Sequence, residues 1–278
     1  MLPRSVDFLL VCLTMLWGCV SLLAQSRSYH MELSDGTSGW VILVNDSQKT
    51  IEAYHFSAKC SGVRPGESGL ELSYDALDFV GTVIGVQGPG GGVTQHDVAE
   101  PGARIVVLDH LLPQPSCEWK ADINAVLYAD GSYEGDEMSA RGLQARRDGI
   151  AASVKYWADR LSQESAGKPN LEATQTDAER LTQEDEKKAH MFPGCGKLPL
   201  ACQYWSGRSH VDRNVAHQAK SQKDGSEGSY RRIVQFITRW EKKMEADVAL
   251  KKLDAVFPLA AALAEEGKQF QVQPGSHE

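Results

Sequence analysis

Between Tyr29 and Tyr128 the apolar positions recur with a period near two, in short runs separated by Gly, Pro, Asn and Asp. Side chains alternate across a sheet, so this pattern predicts strands at Tyr29–Leu33, Gly39–Val44, Thr50–Ala58, Gly69–Tyr74, Phe79–Val86, Ala103–His110 and Trp119–Tyr128. In Thr50–Ala58, Ile51, Ala53 and His55 alternate with Glu52, Tyr54 and Phe56, which puts the large aromatics on one face. Short strands at this density, about seven in roughly 100 residues, predict an immunoglobulin-like antiparallel β-sandwich. Asn45-Asp46-Ser47-Gln48-Lys49 is expected to be a hairpin connection, and Gly88-Pro89-Gly90-Gly91-Gly92 a flexible loop.

Beyond Asp136 the period becomes helical. Ile150, Val154, Trp157 and Leu161 form one stripe within Ser139–Glu164, and Ile233, Ile237, Trp240 and Met244 form another within Ser229–Phe257, where Pro258 should end or kink the helix. These two helices are expected to pack together or on the sandwich. Leu171–His190 offers only Leu171, Ala178, Leu181 and Ala189 on an apolar side and reads as a surface or marginal helix. Trp205–Gly228, polar and glycine-containing, reads as a mobile loop or linker. The expected fold class is α+β: a sandwich over residues 25–136, then a helical region over 137–278 with a polar mobile stretch near 205–228.

The N-terminus adds an address. Arg4 precedes an uncharged apolar run from Phe8 to Leu23 that ends at Ala24, the pattern of a secretory signal peptide over residues 1–24. The run is too short and too interrupted for a membrane anchor. Leu16-Trp17-Gly18-Cys19 resembles a lipobox and makes a lipid anchor at Cys19 the rival reading, against which stand the bulk of Trp17 and the apolar residues after Cys19. The expected location is therefore the periplasm or outside the cell, with no transmembrane span in the mature chain.

Composition is ordinary for a globular chain, with 42% hydrophobic and 24% charged residues in 278. Its charge is uneven: Gln25–Asp136 holds 16 acidic and 6 basic residues, and Glu137 to the end holds 20 acidic and 22 basic. That balance argues against nucleic acid as a partner.

Export changes the meaning of the cysteines. Beyond the leader the chain has Cys60, Cys117, Cys195 and Cys202, an even count that predicts disulfides; Cys60–Cys117 and Cys195–Cys202 are preferred because each pair then stays within one region. His190, Cys195, Cys202, His210 and His217 also supply zinc-type ligands, but the spacing fits no knuckle, and no metal or cofactor is expected. Asp130-Gly131-Ser132-Tyr133-Glu134-Gly135-Asp136-Glu137 is oxygen-rich without EF-hand spacing, and reads as a turn at Asp130-Gly131 followed by a helix cap at Asp136 and Glu137. Ser165-Ala166-Gly167-Lys168 lacks the companion motifs of penicillin-recognising enzymes. Asn45-Asp46-Ser47 is formally a glycosylation sequon, and the lysines at 242, 243, 251 and 252 interleave with acids as on a solvated helix face.

Two stretches carry a resemblance: Val44-Asn45-Asp46-Ser47-Gln48-Lys49-Thr50-Ile51-Glu52-Ala53-Tyr54, and Ala125-Val126-Leu127-Tyr128-Ala129-Asp130-Gly131-Ser132-Tyr133-Glu134-Gly135-Asp136. They resemble a class of exported bacterial proteins of acidobacterial type, in which an immunoglobulin-like sandwich opens with the first motif as a hairpin and closes with the second before a helical tail. The resemblance covers about residues 40 to 150. It implies an architecture and no activity.

With no convergent nucleophile, base and orienting group in the sequence, the expectation is a non-enzymatic envelope or secreted protein acting as a protein-interaction or structural module. The alternative is a glycan or other ligand-binding module with Trp119, Tyr128, Tyr133 or Trp205 as stacking platforms, and a hydrolase stands a distant third.

Overall fold

A computed structural model describes residues 27–33, 41–61, 69–79, 98–108, 118–164, 170–190, 200–220 and 225–246. The strands are β1 (Tyr29–Leu33), β2 (Val41–Asn45), β3 (Ile51–Ser61), β4 (Gly69–Asp75), β5 (Arg104–Leu108), β6 (Glu118–Tyr128) and β7 (Tyr133–Gly135). The helices are α1 (Glu137–Glu164), α2 (Leu171–His190), α3 (Leu200–Lys220) and α4 (Gly225–Ala246), with a 3-10 turn at Ala76–Phe79 after β4. The 3-10 turn takes the first residue of the strand expected at Phe79–Val86, and the rest of that segment lies outside the described residues, as do the leader, Gly88–Gly92, Ser165–Lys168 and Pro258.

The strands form two antiparallel sheets, β1-β2-β5 and β4-β3-β6-β7. Tyr29, Leu43 and Ile105 of the first share one buried cluster with Tyr54, Phe56 and Ile123 of the second. The alternation through β3 is interrupted by a bulge between Ile51 and Ala53. An extra residue turns its neighbours to the other face, so Ile51 joins the aromatic cluster while Glu52 faces the helices. On the outer face of the four-stranded sheet, Ala53, Ala125 and Leu127 receive Ala140 and Leu143 of α1, and that contact docks the helical region.

The Asn45–Lys49 connection is not the hairpin expected from sequence. β2 and β3 lie in different sheets, and the segment is a corner between them. Asn45 makes the corner: its buried Nδ2 donates to the carbonyls of Lys49 and Ala99, both at 2.8 Å, and its Oδ1 accepts from the Ser47 amide at 3.0 Å and the Ser47 hydroxyl at 2.6 Å. A hairpin turn would have left this side chain in solvent. With its amide fully committed, the sequon presents no accessible nitrogen in the folded chain. Asn45→Ala strips the corner of these bonds and should lower the unfolding free energy by about 2 kcal/mol, read from the urea midpoint.

In the helical half, Trp157, Val211, Ile233, Ile237 and Trp240 lie in one core. α2, expected to be a surface or marginal helix, is a full helix capped by Asn170, whose Oδ1 accepts from the Ala173 amide at 3.1 Å, and it buries Thr174, Ala178 and Asp185. The polar stretch near 205–228, expected as a loop, is helical over its described residues, ending α3 and beginning α4. The inward side of α3 is built from Gly207, Ser209, Val211, Asp212, Val215 and Ala216, too small and polar to read as an apolar stripe. Small residues there let the backbones of α1 and α3 touch: a Cβ built on Gly149 would lie 2.0 Å from the Tyr204 carbonyl oxygen, and one on Gly207 would lie 2.1 Å from that of Arg146.

Candidate functional site

The two motifs that carry the resemblance meet in space. Ile51 pairs with Tyr128, and the Ala129 amide donates to the Thr50 carbonyl at 2.9 Å. Lys49 Nζ reaches Asp130 Oδ2 at 2.9 Å and Ser132 Oγ at 2.7 Å while lying 5.3 Å from the Tyr128 ring centre. Gly131, with φ of 82°, turns β6 into β7, a conformation that a side chain would oppose. The hydrogen bond from the Ser132 hydroxyl, followed by its amide and Lys49, holds the Asp130 carboxyl at about 2. Asp136 then caps α1 by accepting from the Ser139 amide at 2.8 Å and its hydroxyl at 2.9 Å. The Asp130 and Asp136 carboxylates are thus engaged in a turn and a helix cap.

The aromatic and metal-type residues are spread out. Tyr128 is wholly buried, and Tyr133 packs beside the α1 contact. Trp205 is half-buried, with Lys188 Nζ 4.1 Å and Arg208 Cζ 5.3 Å from its ring centre. The Trp119 side chain is outside what is described. Cys202, His210 and His217 all lie on α3, where a rise of 1.5 Å per residue separates the first and last by about 22 Å. His210 is tilted against Trp240, and His217 lines a shallow groove between α2 and α3. Cys202 is buried. Cys117 and Cys195 and the Cys60 side chain are outside what is described; the backbone of Cys60 pairs with that of Trp119.

The outer face of the three-stranded sheet has a different character. Register places His30, Val44 and Arg104 in one row across β1, β2 and β5, and Glu32, Ile42 and Val106 in the next. Glu32 and Arg104, on strands either side of β2, form an ion pair over it, with one bond at 2.8 Å. Long side chains spanning two strand spacings act as a strap, and beneath it Val44 is only 8% exposed. His30 lies between Asp46 and Glu32, 3.4 Å from the latter, and its hydrogen bond to Asp46 raises its pKa. No described helix makes more than marginal contact with β1, β2 or β5. Two part-exposed aliphatic side chains, Ile42 and Val106, thus lie on this face within a frame of both signs of charge, with Val44 covered by the strap.

Neither known protein families nor curated proteins nor solved structures provide a match. The face therefore stands on its own geometry. Sequence reasoning missed it because Glu32 and Arg104 are distant in the chain and meet only when β2 takes its place between β1 and β5. The alternation of His30 and Glu32 with Tyr29 and Met31 was the available signal.

Proposed function

We propose that this is an exported, non-enzymatic protein-interaction module whose binding face is the outer surface of the β1-β2-β5 sheet. The observation that carries the reading is the asymmetry between the sheets: α1 buries the outer face of one, while Ile42, Val44 and Val106 with their charged frame lie on the outer face of the other. In this reading the two sheets form an immunoglobulin-like sandwich, supported by their shared core and by the chain's repeated crossing between them. The leader directs export, and Cys60–Cys117 and Cys195–Cys202 are its disulfides. Edge-on loops and a rigid sheet face are what such sandwiches offer to partners, so the helical half serves as a support.

The test is site-specific photocrosslinking in the native envelope. A photoreactive residue at Val106 should give one discrete higher-mass adduct, and the same residue at the exposed Gln163 of α1 should give none. Arg104→Glu, checked for unchanged circular dichroism, should weaken that adduct about tenfold by placing like charge beside Glu32. A Val106 variant without a discrete adduct, or a saturable hydrolytic activity lost on one polar substitution, overturns the reading.

A further inference from the structure

Asp212 sits in α3 with no exposure to solvent, facing α1. Its Oδ1 accepts two hydrogen bonds from α1, from Ser153 Oγ at 2.6 Å and from Trp157 Nε1 at 2.7 Å. Its Oδ2 is equally sealed from solvent and has no hydrogen-bonding partner among the described residues. The cation nearest in effect, Arg208 one turn back on α3, donates through Nε to Asp185 of α2 at 2.9 Å, and Lys188 is 3.4 Å from the same carboxylate. From α4 the surrounding core receives Ile233, Ile237 and Trp240, none ionisable, and His210 is turned to Trp240. An ionised carboxylate here has one oxygen served twice and the other left bare in an apolar joint, a costly arrangement.

We propose that Asp212 is a proton-operated latch in the α1–α3 joint: with a proton on Oδ2 the joint closes, and loss of that proton loosens it. Burial raises the titration of this carboxyl to about 6, against opposing pulls from Ser153, Trp157 and Arg208 and a further push from Asp185. A folded value above the unfolded one means that folding takes up a proton between about pH 4 and 6. The stabilisation is complete below that window and is lost as pH rises through about 6, with the unfolding constant changing up to about tenfold per pH unit. A protein exported to a compartment whose pH follows the surroundings would tighten its helical half on acidification.

Urea unfolding and amide exchange of the full chain between pH 4.5 and 8 test this. Asp212→Asn keeps an acceptor for Ser153 and Trp157 without the charge. It should unfold up to about 100-fold less readily than wild type at pH 7.5, the gap closing as pH falls below 6. Ser153→Ala removes a donor that favours the charged form and should move the wild-type transition to higher pH. Exchange in α1 and α3, corrected for intrinsic rates, should slow from pH 7.5 to 5.5 in wild type and change much less in D212N. Parallel pH profiles for wild type and D212N, a Ser153→Ala transition that does not move, or helix exchange that slows as much in D212N as in wild type would each overturn the latch.

Discussion

Alanine at Gly207 should destabilise the protein by about 3 kcal/mol or more, although the same change inside a helix ordinarily stabilises by about 1 kcal/mol. The sign reverses because the new methyl group meets the Arg146 carbonyl oxygen at 2.1 Å, and a backbone atom cannot rotate aside. Gly149→Ala should behave alike against the Tyr204 carbonyl oxygen at 2.0 Å. Either methyl forces α1 and α3 apart and opens gaps around Trp157 and Val211, which share the core. The double variant should cost less than the sum, since one separation makes room for both methyls. Urea unfolding followed by far-ultraviolet circular dichroism reads all three, and an unchanged midpoint in G207A would remove the close approach of α1 and α3 as a determinant of stability.

The other large effect belongs to Arg147. Its side chain has no solvent exposure, its Nε donates to Asp75 Oδ2 at 2.6 Å and its Nη2 to Asp75 Oδ1 at 3.0 Å, and Glu52 Oε2 is 3.3 Å from Nη1. Asp75 is buried to the same degree and also accepts the Leu77 amide at 2.9 Å, which starts the 3-10 turn and sends Leu77 into the helical core. One residue of α1 thus ties β3 and β4 to the bundle. Arg147→Met leaves a buried carboxylate without its counter-charge and should cost about 3–5 kcal/mol. Pairing it with Asp75→Asn should recover a measurable part, because the stranded charge is then gone. Calorimetry offers a further check: wild type should unfold in one transition, and the Arg147 variant should separate sheet and helical transitions as their link weakens. A loss below 1 kcal/mol would mean that the apolar contact of Ala140 and Leu143 alone unites the halves.

Much of the architecture was legible along the chain. The alternation at Tyr29–Leu33 and Trp119–Tyr128 marks β1 and β6 to within one residue, and Ile150, Val154, Trp157 and Leu161 mark the buried stripe of α1. β7 was not anticipated: three residues are too short to show a period, and only the turn at Gly131 and pairing with β6 make them a strand. α3 escaped because glycine, serine, alanine and aspartate surround Val211 and Val215 on its contact surface, and such residues signal loops unless a facing helix comes close enough to use them. Of the candidate face, Ile42 and Val106 were visible as strand residues, but which sheet side they occupy was not.

The sequence by itself determined where strands give way to helices, because a side-chain period of two or of 3.6 is a local property that each segment carries whatever its neighbours do. It also determined the turn at Asp130-Gly131 and the cap at Asp136, whose bonds reach only a few residues. Tertiary structure alone decided that Asn45 turns a corner between sheets, that Glu32 and Arg104 span β2, that Gly149 and Gly207 bring two helices into backbone contact, and that Asp212 is shut away from water. Each of these depends on partners far apart in the chain, and the energy of a buried amide, ion pair or carboxylate is set by what surrounds it, which no local pattern records.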